Sequence, residues 1–390
     1  MVVSTSLVEM YFKYGNLSGL VYLFDEISER DVVLWTAMVT GFSQNGLVYE
    51  ALEFFARMVR EGIRPNGITL SSVLSACSKL MVVNLGKSVH GFSIRNDVFK
   101  DDVVLKTAFV DMYAKCRNLD YGIRIFDGMK EKSSVSWNVI ITGCANNGSN
   151  DDMLQLFKEM IWSSRERPKS SILASVLQVC GGTTDLLHGR EVHGHIVRRS
   201  CSSISDTLLE NNALIDMYAK SGDFDSAVTL FKSVTNKNVV TWTTMIMGYG
   251  MHGLSREALQ LFDEMTKFGI RPDSITFIAL LSACSHGKLV EEGKKFYLSM
   301  QRDYNIDPEM KHFGCMVDLY GRAGLLEEAH NFIESMPVEP TEFIWAALLS
   351  SCRIYKNLDL GEKAAIEALI LNQHTLVTNI RRFRTTEGSE

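Results

Sequence analysis

The chain has 390 residues, of which 46% are hydrophobic, and its formal net charge is −6. No apolar run reaches the roughly 18 residues that a membrane-spanning helix needs, and the first residues resemble neither a secretory signal nor an Arg-rich presequence. Six prolines and dispersed charges exclude long low-complexity segments. The acidic balance weakens a nucleic-acid-binding function, but a repeat protein can be acidic on one surface and not on the other.

From its first residue onwards the chain divides into units of three lengths in a constant order. The short units have about 31 residues, the next about 35 and the long ones about 36 to 38. The short units are 1–31, 103–133, 208–238 and 310–341; the intermediate units are 32–66, 134–169 and 239–273; the long units are 67–102, 170–207 and 274–309; and 342–375 continues the series. Self-similarity at fixed spacing is the signature of stacked repeats.

The unit 239–273 shows most clearly what one repeat is. Its first part places Trp242 and Met245 on one apolar face and ends near Gly253. Its second part has apolar residues at i, i+3, i+4 and i+7, beginning at Ala258, and Gly269 follows as a helix stop. The pattern predicts two short antiparallel helices. Such a hairpin has two apolar faces and must stack on copies of itself.

The eight cysteines do not indicate disulfides or a zinc site, since no C-x-x-C string occurs. Cys77, Cys180 and Cys284 recur at one repeat position, and Cys352 lies in a related string. We interpret them as small buried helix residues in a reducing compartment. The pair His193 and His195 is not interpreted as a set of metal ligands.

Four strings identify a family. DMYAK at 111–115 and 216–220, NALIDMY at 212–218, LSACSHGKLVEEG at 281–293 and WAALLSSCR at 345–353 resemble plant pentatricopeptide repeat proteins of the PLS class, over residues 1 to about 371. The resemblance implies an all-α protein, a right-handed α-solenoid of stacked helix-turn-helix repeats. It makes 342–375 similar to the first extension repeat of E-type RNA-editing factors, with 376–390 a degenerate tail. Both ends are expected to be truncated.

The resemblance further implies that single-stranded RNA is read one base per repeat, by the fifth and last residues of each repeat. Here these pairs are Thr5 with Asp31, Thr36 with Asn66, Thr107 with Ser133, Asn138 with Lys169, Asn212 with Asn238, and Thr243 with Asp273. Hydroxyl, amide and carboxylate groups suit hydrogen bonding to bases, and a carboxylate, which only accepts, favours the N–H edge of guanine. The alternative is that these residues simply cap helices.

By the family's code the expected RNA is, from 5′ to 3′, G, A, any base, a purine, a pyrimidine, any base, a pyrimidine and G. No base is assigned to the long repeats, whose fifth residues are Ser71, Ala174 and Ile278.

Two further sets of residues are expected to contact RNA by resemblance. The second residues of the repeats would pack on base faces, the alternative being ordinary core; they are Val33, Val104, Val135, Leu209 and Val240. A cation recurs near the end of the first helix of the short repeats, as Lys13, Lys115, Lys220 and Arg322. It would contact phosphate, or only complement the helix dipole.

The implied function is site recognition for C-to-U editing of organellar transcripts, in a mitochondrion or chloroplast. No H-x-E string with a P-C-x-x-C string is present to hold the zinc of a deaminase. The chain is therefore expected not to be an enzyme and to use no cofactor or small-molecule substrate. Its expected partners are RNA, multiple organellar RNA editing factor proteins and a deaminase-bearing relative in trans. The alternatives are an RNA stabilisation or splicing factor, a protein-binding helical-repeat scaffold, and a decaying gene copy.

Overall fold

The computed structural model of the chain describes residues 2–95, 101–163, 168–200 and 208–371. Over these ranges the chain is built from α-helices joined by short turns, and no strand occurs in them. The chain separates into two compact units, Met1–Val179 and Cys180–Glu390. The predicted degenerate tail, 376–390, lies outside the described residues.

The helices of the first unit come in pairs. They are α1 Val2–Tyr14, α2 Leu17–Glu26, α3 Val32–Gln44, α4 Val48–Arg60, α5 Gly67–Leu80, α6 Val83–Arg95, α7 Val103–Lys115, α8 Leu119–Asp127, α9 Ser134–Asn147 and α10 Asn150–Ser163, and α11 Ser170–Gly182 runs across the division between the units.

The second unit continues the pairing. It contains α12 Leu186–Ser200, α13 Leu208–Lys220, α14 Phe224–Ser233, α15 Val239–Met251, α16 Ser255–Lys267, α17 Ser274–Gly287, α18 Val290–Tyr304, α19 Met310–Ala323, α20 Leu326–Glu334, α21 Glu342–Tyr355 and α22 over 358–371. The odd-numbered helices from α3 to α21 begin at the first residues of the predicted repeats. The division of these repeats into three classes stays a prediction.

The repeat 239–273 forms the predicted hairpin of α15 and α16. On α16 the predicted apolar face is buried, with Ala258, Leu261, Phe262 and Met265 at most 8% exposed. The next helix, α17, begins only after Pro272, which fits the bias of proline against helix interiors. The sequence pattern therefore predicted this hairpin correctly.

Within each unit the first helices of successive pairs pack on one another. In the first unit α3 packs between α1 and α5, and α7 packs between α5 and α9. In the second unit the same row runs from α13 through α15, α17 and α19 to α21. Seven second helices each contact their own first helix and the next one; they are α4, α6, α8, α14, α16, α18 and α20. The stack of helical hairpins expected from the sequence is confirmed.

The core lies between the two helix layers. Trp35 is fully buried, with the Phe24 ring 4.6 Å away and nearly edge-on. Cys77, Cys180 and Cys284 are also fully buried, and burial raises the pKa of each thiol to about 12. The interpretation of these cysteines as small buried helix residues is confirmed.

Some first helices approach one another so closely that the contact needs glycine. A Cβ added to Gly250 on α15 would lie 2.9 Å from the Cβ of Ala283 on α17. Packing side by side in this way aligns the helix starts, and the polar residues at those starts therefore form a row within each unit. No helix in the described part of the chain is long and apolar enough to cross a membrane.

Candidate nucleic-acid interface

The last residue of most repeats caps the first helix of the next repeat. Asp31, Asn66, Ser133, Asn238 and Asp273 each have extended backbone geometry, and each accepts a hydrogen bond from a backbone N–H in the first turn of the helix. All five residues therefore cap helices. A cap uses one oxygen of the side chain and leaves the rest of it available.

The fifth and last residues of the repeat 32–66 are connected through a third side chain. The hydroxyls of Thr36 and Thr69 lie 2.7 Å apart. Thr69 also donates its hydroxyl to Asn66 Oδ1 at 2.9 Å, and its backbone N–H lies 2.8 Å from the same oxygen. Thr36 is 8% exposed and Thr69 is fully buried. The two predicted base-reading residues thus belong to one hydrogen-bonded cluster.

The repeat 239–273 has the same arrangement, with a carboxylate in place of the amide. The hydroxyls of Thr243 and Thr276 lie 2.8 Å apart. Asp273 Oδ1 accepts from both the hydroxyl and the backbone N–H of Thr276, each at 2.8 Å. Thr276 is fully buried, and Thr243 is 6% exposed. Since a carboxylate has two oxygens, Oδ2 stays available for another donor.

In the repeat 208–238 the two predicted base-reading residues contact each other directly. Asn212 Nδ2 lies 3.5 Å from Asn238 Oδ1, the outer limit of a hydrogen bond. Asn238 Oδ1 also accepts from the N–H of Thr241 at 3.0 Å and from its hydroxyl at 2.9 Å. Among the described residues, the buried Asn212 Oδ1 has no hydrogen-bond partner. An unsatisfied buried acceptor at this place is suited to a ligand donor.

The other predicted pairs are less uniform. Thr107 is 9% exposed and donates to the Val103 carbonyl four residues earlier. Asn138 accepts from the Ser171 hydroxyl at 3.3 Å. Lys169 is exposed and precedes α11. Thr5 lies in α1, and its side chain is outside the described part of the structure.

The second residues of the repeats are exposed. Their exposed fractions are Val33 55%, Val104 71%, Val135 53%, Leu209 51% and Val240 50%. The alternative that they are ordinary core is therefore wrong. Sequence reasoning missed the equivalent residues of two long repeats, Ile68 and Ile275, which are 65% and 57% exposed. Apolar side chains left in water at the helix starts can pack against base faces.

The recurring cations are paired with aspartates one turn earlier on the same helix. Lys115 contacts Asp111 at 2.7 Å, Lys220 contacts Asp216 at 2.7 Å, and Arg322 contacts Asp318 at 2.8 Å. These three lie in the last helical turn, which also fits the helix-dipole explanation. Lys13 is exposed near the end of α1. Partly exposed pairs of this kind are weak, and a phosphate can compete for the cation.

The fifth, ninth and thirteenth residues of the short repeats therefore share one helix face. In α13 these are Asn212, Asp216 and Lys220, at spacing i, i+4 and i+8. The polar pair at the repeat junction thus continues into an ion pair along the first helix.

His193, which lies in the pair of histidines singled out in the sequence, is bonded to a tyrosine. His193 Nδ1 lies 2.8 Å from the Tyr218 hydroxyl, and burial lowers the pKa of His193. In the described ranges no group of three or more His, Cys, Asp or Glu residues could hold a metal ion.

Sequence reasoning missed the buried threonines Thr69, Thr241 and Thr276. Their signal was present in the sequence as Asn or Asp followed three residues later by Thr, at 66–69, 238–241 and 273–276. This is the spacing of a helix capping box, and both reciprocal bonds form at Asn238 and Asp273.

Comparison with known proteins gives these hairpins a family. The model described as "PPR repeat family" matches residues 30–79 and 237–286. The model described as "PPR repeat" matches residues 104–134, 135–164, 212–239, 275–304 and 311–339.

Relatives from Arabidopsis thaliana match almost the whole chain. One pentatricopeptide repeat-containing protein is 39% identical over 383 residues, which are 97% of this chain and 64% of that protein. A mitochondrial one is 37% identical over 383 residues, 97% of this chain and 68% of that protein. The chain spans less than two thirds of the length of the first of these relatives.

The fold has a solved counterpart in the pentatricopeptide repeat protein PPR10, crystallised with an 18-nt psaJ RNA element. The TM-score is 0.75 at 16% sequence identity, over 96% of this chain and 55% of that one. At this identity the likeness shows the fold. Together with the repeat models and the relatives, it establishes that the chain belongs to the pentatricopeptide repeat family.

Proposed function

We propose that the chain binds single-stranded RNA sequence-specifically and acts in organellar RNA processing, without chemistry of its own. The observation that carries this proposal is the hydrogen-bonded cluster of fifth and last residues, seen at Thr36 with Asn66 and at Thr243 with Asp273. A scaffold that binds only protein has no need of paired polar side chains at the same place in successive repeats. The solved relative bound to RNA supports the same class of ligand.

The bases bound follow from the residue pairs. Thr243 with Asp273 would bind G, Thr36 with Asn66 would bind A, and Asn212 with Asn238 would bind a pyrimidine. The expected string stays G, A, any base, purine, pyrimidine, any base, pyrimidine, G. The half-exposed second residues, such as Val240, would separate neighbouring bases by packing on their faces.

The finer proposal is recognition of a C-to-U editing site, with the deaminase supplied in trans and multiple organellar RNA editing factor proteins as partners. Names of relatives that include mitochondrial and chloroplastic ones support an organellar location. An RNA stabilisation or splicing factor would use the same surface. The two are separated by loss of the chain in vivo: editing factors change one cytidine, whereas a stabilising factor changes transcript abundance.

A binding titration at two salt concentrations tests the function. One RNA carries the expected string, and a second carries changed bases at the places bound by Thr36/Asn66 and Thr243/Asp273. We expect preference for the first RNA, lost in the double variant Thr243→Asn with Asp273→Asn. Equal and strongly salt-dependent affinity for both RNAs would show a non-specific polyanion surface. Binding to neither would favour the protein scaffold.

A further inference from the structure

Three threonines without an assigned role are fully buried beside the proposed base-binding row. Thr69, Thr241 and Thr276 are each 0% exposed. Each is the third residue of the helix that Asn66, Asn238 or Asp273 caps. Burying a hydroxyl costs free energy unless it is hydrogen-bonded. At these three places the hydroxyl bonds to the side-chain oxygen of the capping residue.

The consequence is that one oxygen of each capping side chain is engaged twice. Asn66 Oδ1 accepts from Thr69 N at 2.8 Å and Thr69 Oγ1 at 2.9 Å, and Asn238 Oδ1 accepts from the same two groups of Thr241. A backbone N–H can only donate, so the amide atom facing it must be the oxygen. The amide nitrogen is thereby turned away from the helix. Asn66 and Asn238 therefore offer outward only N–H donors.

The same two contacts hold Asp273, which presents the opposite polarity because it is a carboxylate. Its Oδ1 is held by both donors of Thr276. Its Oδ2 is left, and a carboxylate oxygen only accepts. Thr243, the fifth residue of the repeat, contacts the same Thr276 hydroxyl. The orientation of the last residue is thus imposed from inside the repeat before any base arrives.

We infer that Thr69, Thr241 and Thr276 are positioning residues that hold the side chain of the last residue of the repeat in the orientation in which it meets an RNA base. This inference rests on the proposed function. A fixed N–H of Asn66 complements the N1 acceptor of adenine but meets the N1–H donor of guanine. A fixed Oδ2 of Asp273 complements the N1–H and N2–H donors of guanine. Without the hydroxyl, the capping oxygen keeps only the backbone N–H as its donor, and the outward group of the side chain is held less firmly.

In some repeats no buried hydroxyl bonds to the side chain of the capping residue. These repeats serve as internal comparisons. The Ser136 hydroxyl donates to the Ser133 backbone carbonyl instead of the Ser133 side chain. Asp31 accepts from the backbone N–H of Leu34, whose side chain has no hydroxyl. Base discrimination is therefore expected to be sharper at the three places with a buried threonine than at Thr107 with Ser133.

The test measures equilibrium binding of the full chain to three RNAs: the expected string, one with G changed to A at the Asp273 place, and one with A changed to G at the Asn66 place. For the unchanged chain we expect about tenfold preference at each place. Thr276→Val, which keeps the shape but not the hydroxyl, should reduce the preference to below about threefold at the Asp273 place only. Thr276→Ser should restore it. Thr69→Val should do the same at the Asn66 place and serves if Thr276→Val does not fold.

Other outcomes overturn the inference in distinguishable ways. If the unchanged chain discriminates and Thr276→Val discriminates equally, the threonine does not position the base-binding group, although base recognition stands. If Thr276→Val weakens binding to all three RNAs by one factor, its role is only structural. If the unchanged chain shows no preference at either place, base recognition itself fails, and the positioning role fails with it.

Discussion

The imidazole of His193 on α12 lies with Nδ1 2.8 Å from the hydroxyl of Tyr218 on α13. The same relationship occurs in the other unit, where His90 Nδ1 lies 3.1 Å from the Tyr113 hydroxyl. Both histidines are half-buried, and burial lowers the pKa of each. The pair Arg190 and Asp223, 2.8 Å apart, lies beside Tyr218.

These contacts predict that the protein is destabilised by mild acid. The folded-state pKa of each histidine lies below its unfolded value of about 6.5. The unfolded chain therefore binds more protons, and the free energy of unfolding falls as pH drops through about 6.5 towards the folded pKa. The slope per histidine is at most about 1.4 kcal/mol per pH unit. Urea unfolding between pH 7.5 and 5 measures it.

The chain itself suggests the variant for this experiment, since Tyr297 occupies the equivalent place in the third long unit. His193→Tyr should flatten the pH dependence, whereas His286→Tyr, at an exposed site, should leave it unchanged. Equal pH dependence in both variants and the unchanged chain would mean that other groups cause the acid sensitivity.

Two glycines of similar helical setting are expected to respond oppositely to alanine. A Cβ at Gly250 would lie 2.9 Å and 3.1 Å from Cβ and Cα of Ala283, so α15 and α17 must separate. Gly250→Ala should cost about 1–3 kcal/mol. Gly91, within α6, has no heavy atom within 4 Å of an added Cβ, and Gly91→Ala should stabilise by about 0.5–1 kcal/mol. Urea unfolding separates the two, and stabilisation by both would refute the close helix contact.

Apolar periodicity and repeated strings were enough to predict the helix pairs. The row of Trp242 and Met245 and the stripe from Ala258 lie within one hairpin, and local spacing determines which side is buried. The fifth and last residues could also be located, because their places follow from repeat starts. The second residue was left open by the pattern, which allowed both core and surface for Val240, since an apolar residue at a helix start fits both.

The contacts across repeat boundaries could not be predicted from spacing. Thr243 and Thr276 are 33 residues apart, and their hydroxyls meet only because α15 and α17 pack side by side. The pairing of Lys220 with Asp216 is different, since its i, i+4 spacing was visible in the DMYAK string. The cation was considered there without the acid that neutralises it.

Trp35 is expected to contribute an unfavourable term to the free energy of folding, which a smaller aromatic residue would remove. It is fully buried, and its Nε1 has no hydrogen-bond partner in the described part of the chain. Trp35→Phe loses apolar contact with Phe24 but also removes an unsatisfied donor, which costs about 1–3 kcal/mol. We expect it to destabilise less than Trp242→Phe by about 1 kcal/mol. Trp242 is a matched control in the same repeat class, packed edge-on against Phe231 at 5.2 Å. Equal losses in the free energy of unfolding would contradict the prediction.

The aspartates beside the recurring cations are expected to limit RNA affinity. Lys220 is held by Asp216 at 2.7 Å, so a phosphate must displace a carboxylate to reach it. Asp216→Asn should lower the Kd for single-stranded RNA a few-fold at low salt. It should also steepen the dependence of log K on log salt by about 0.7, the value for one more phosphate contact on a single strand. Asp303→Asn is the control, because it removes the same charge from a pair with Arg302 on a second helix. If both variants gain affinity equally, the gain reflects net charge. If neither changes the salt slope, Lys220 does not contact phosphate, and its place at the end of α13 serves the helix dipole alone.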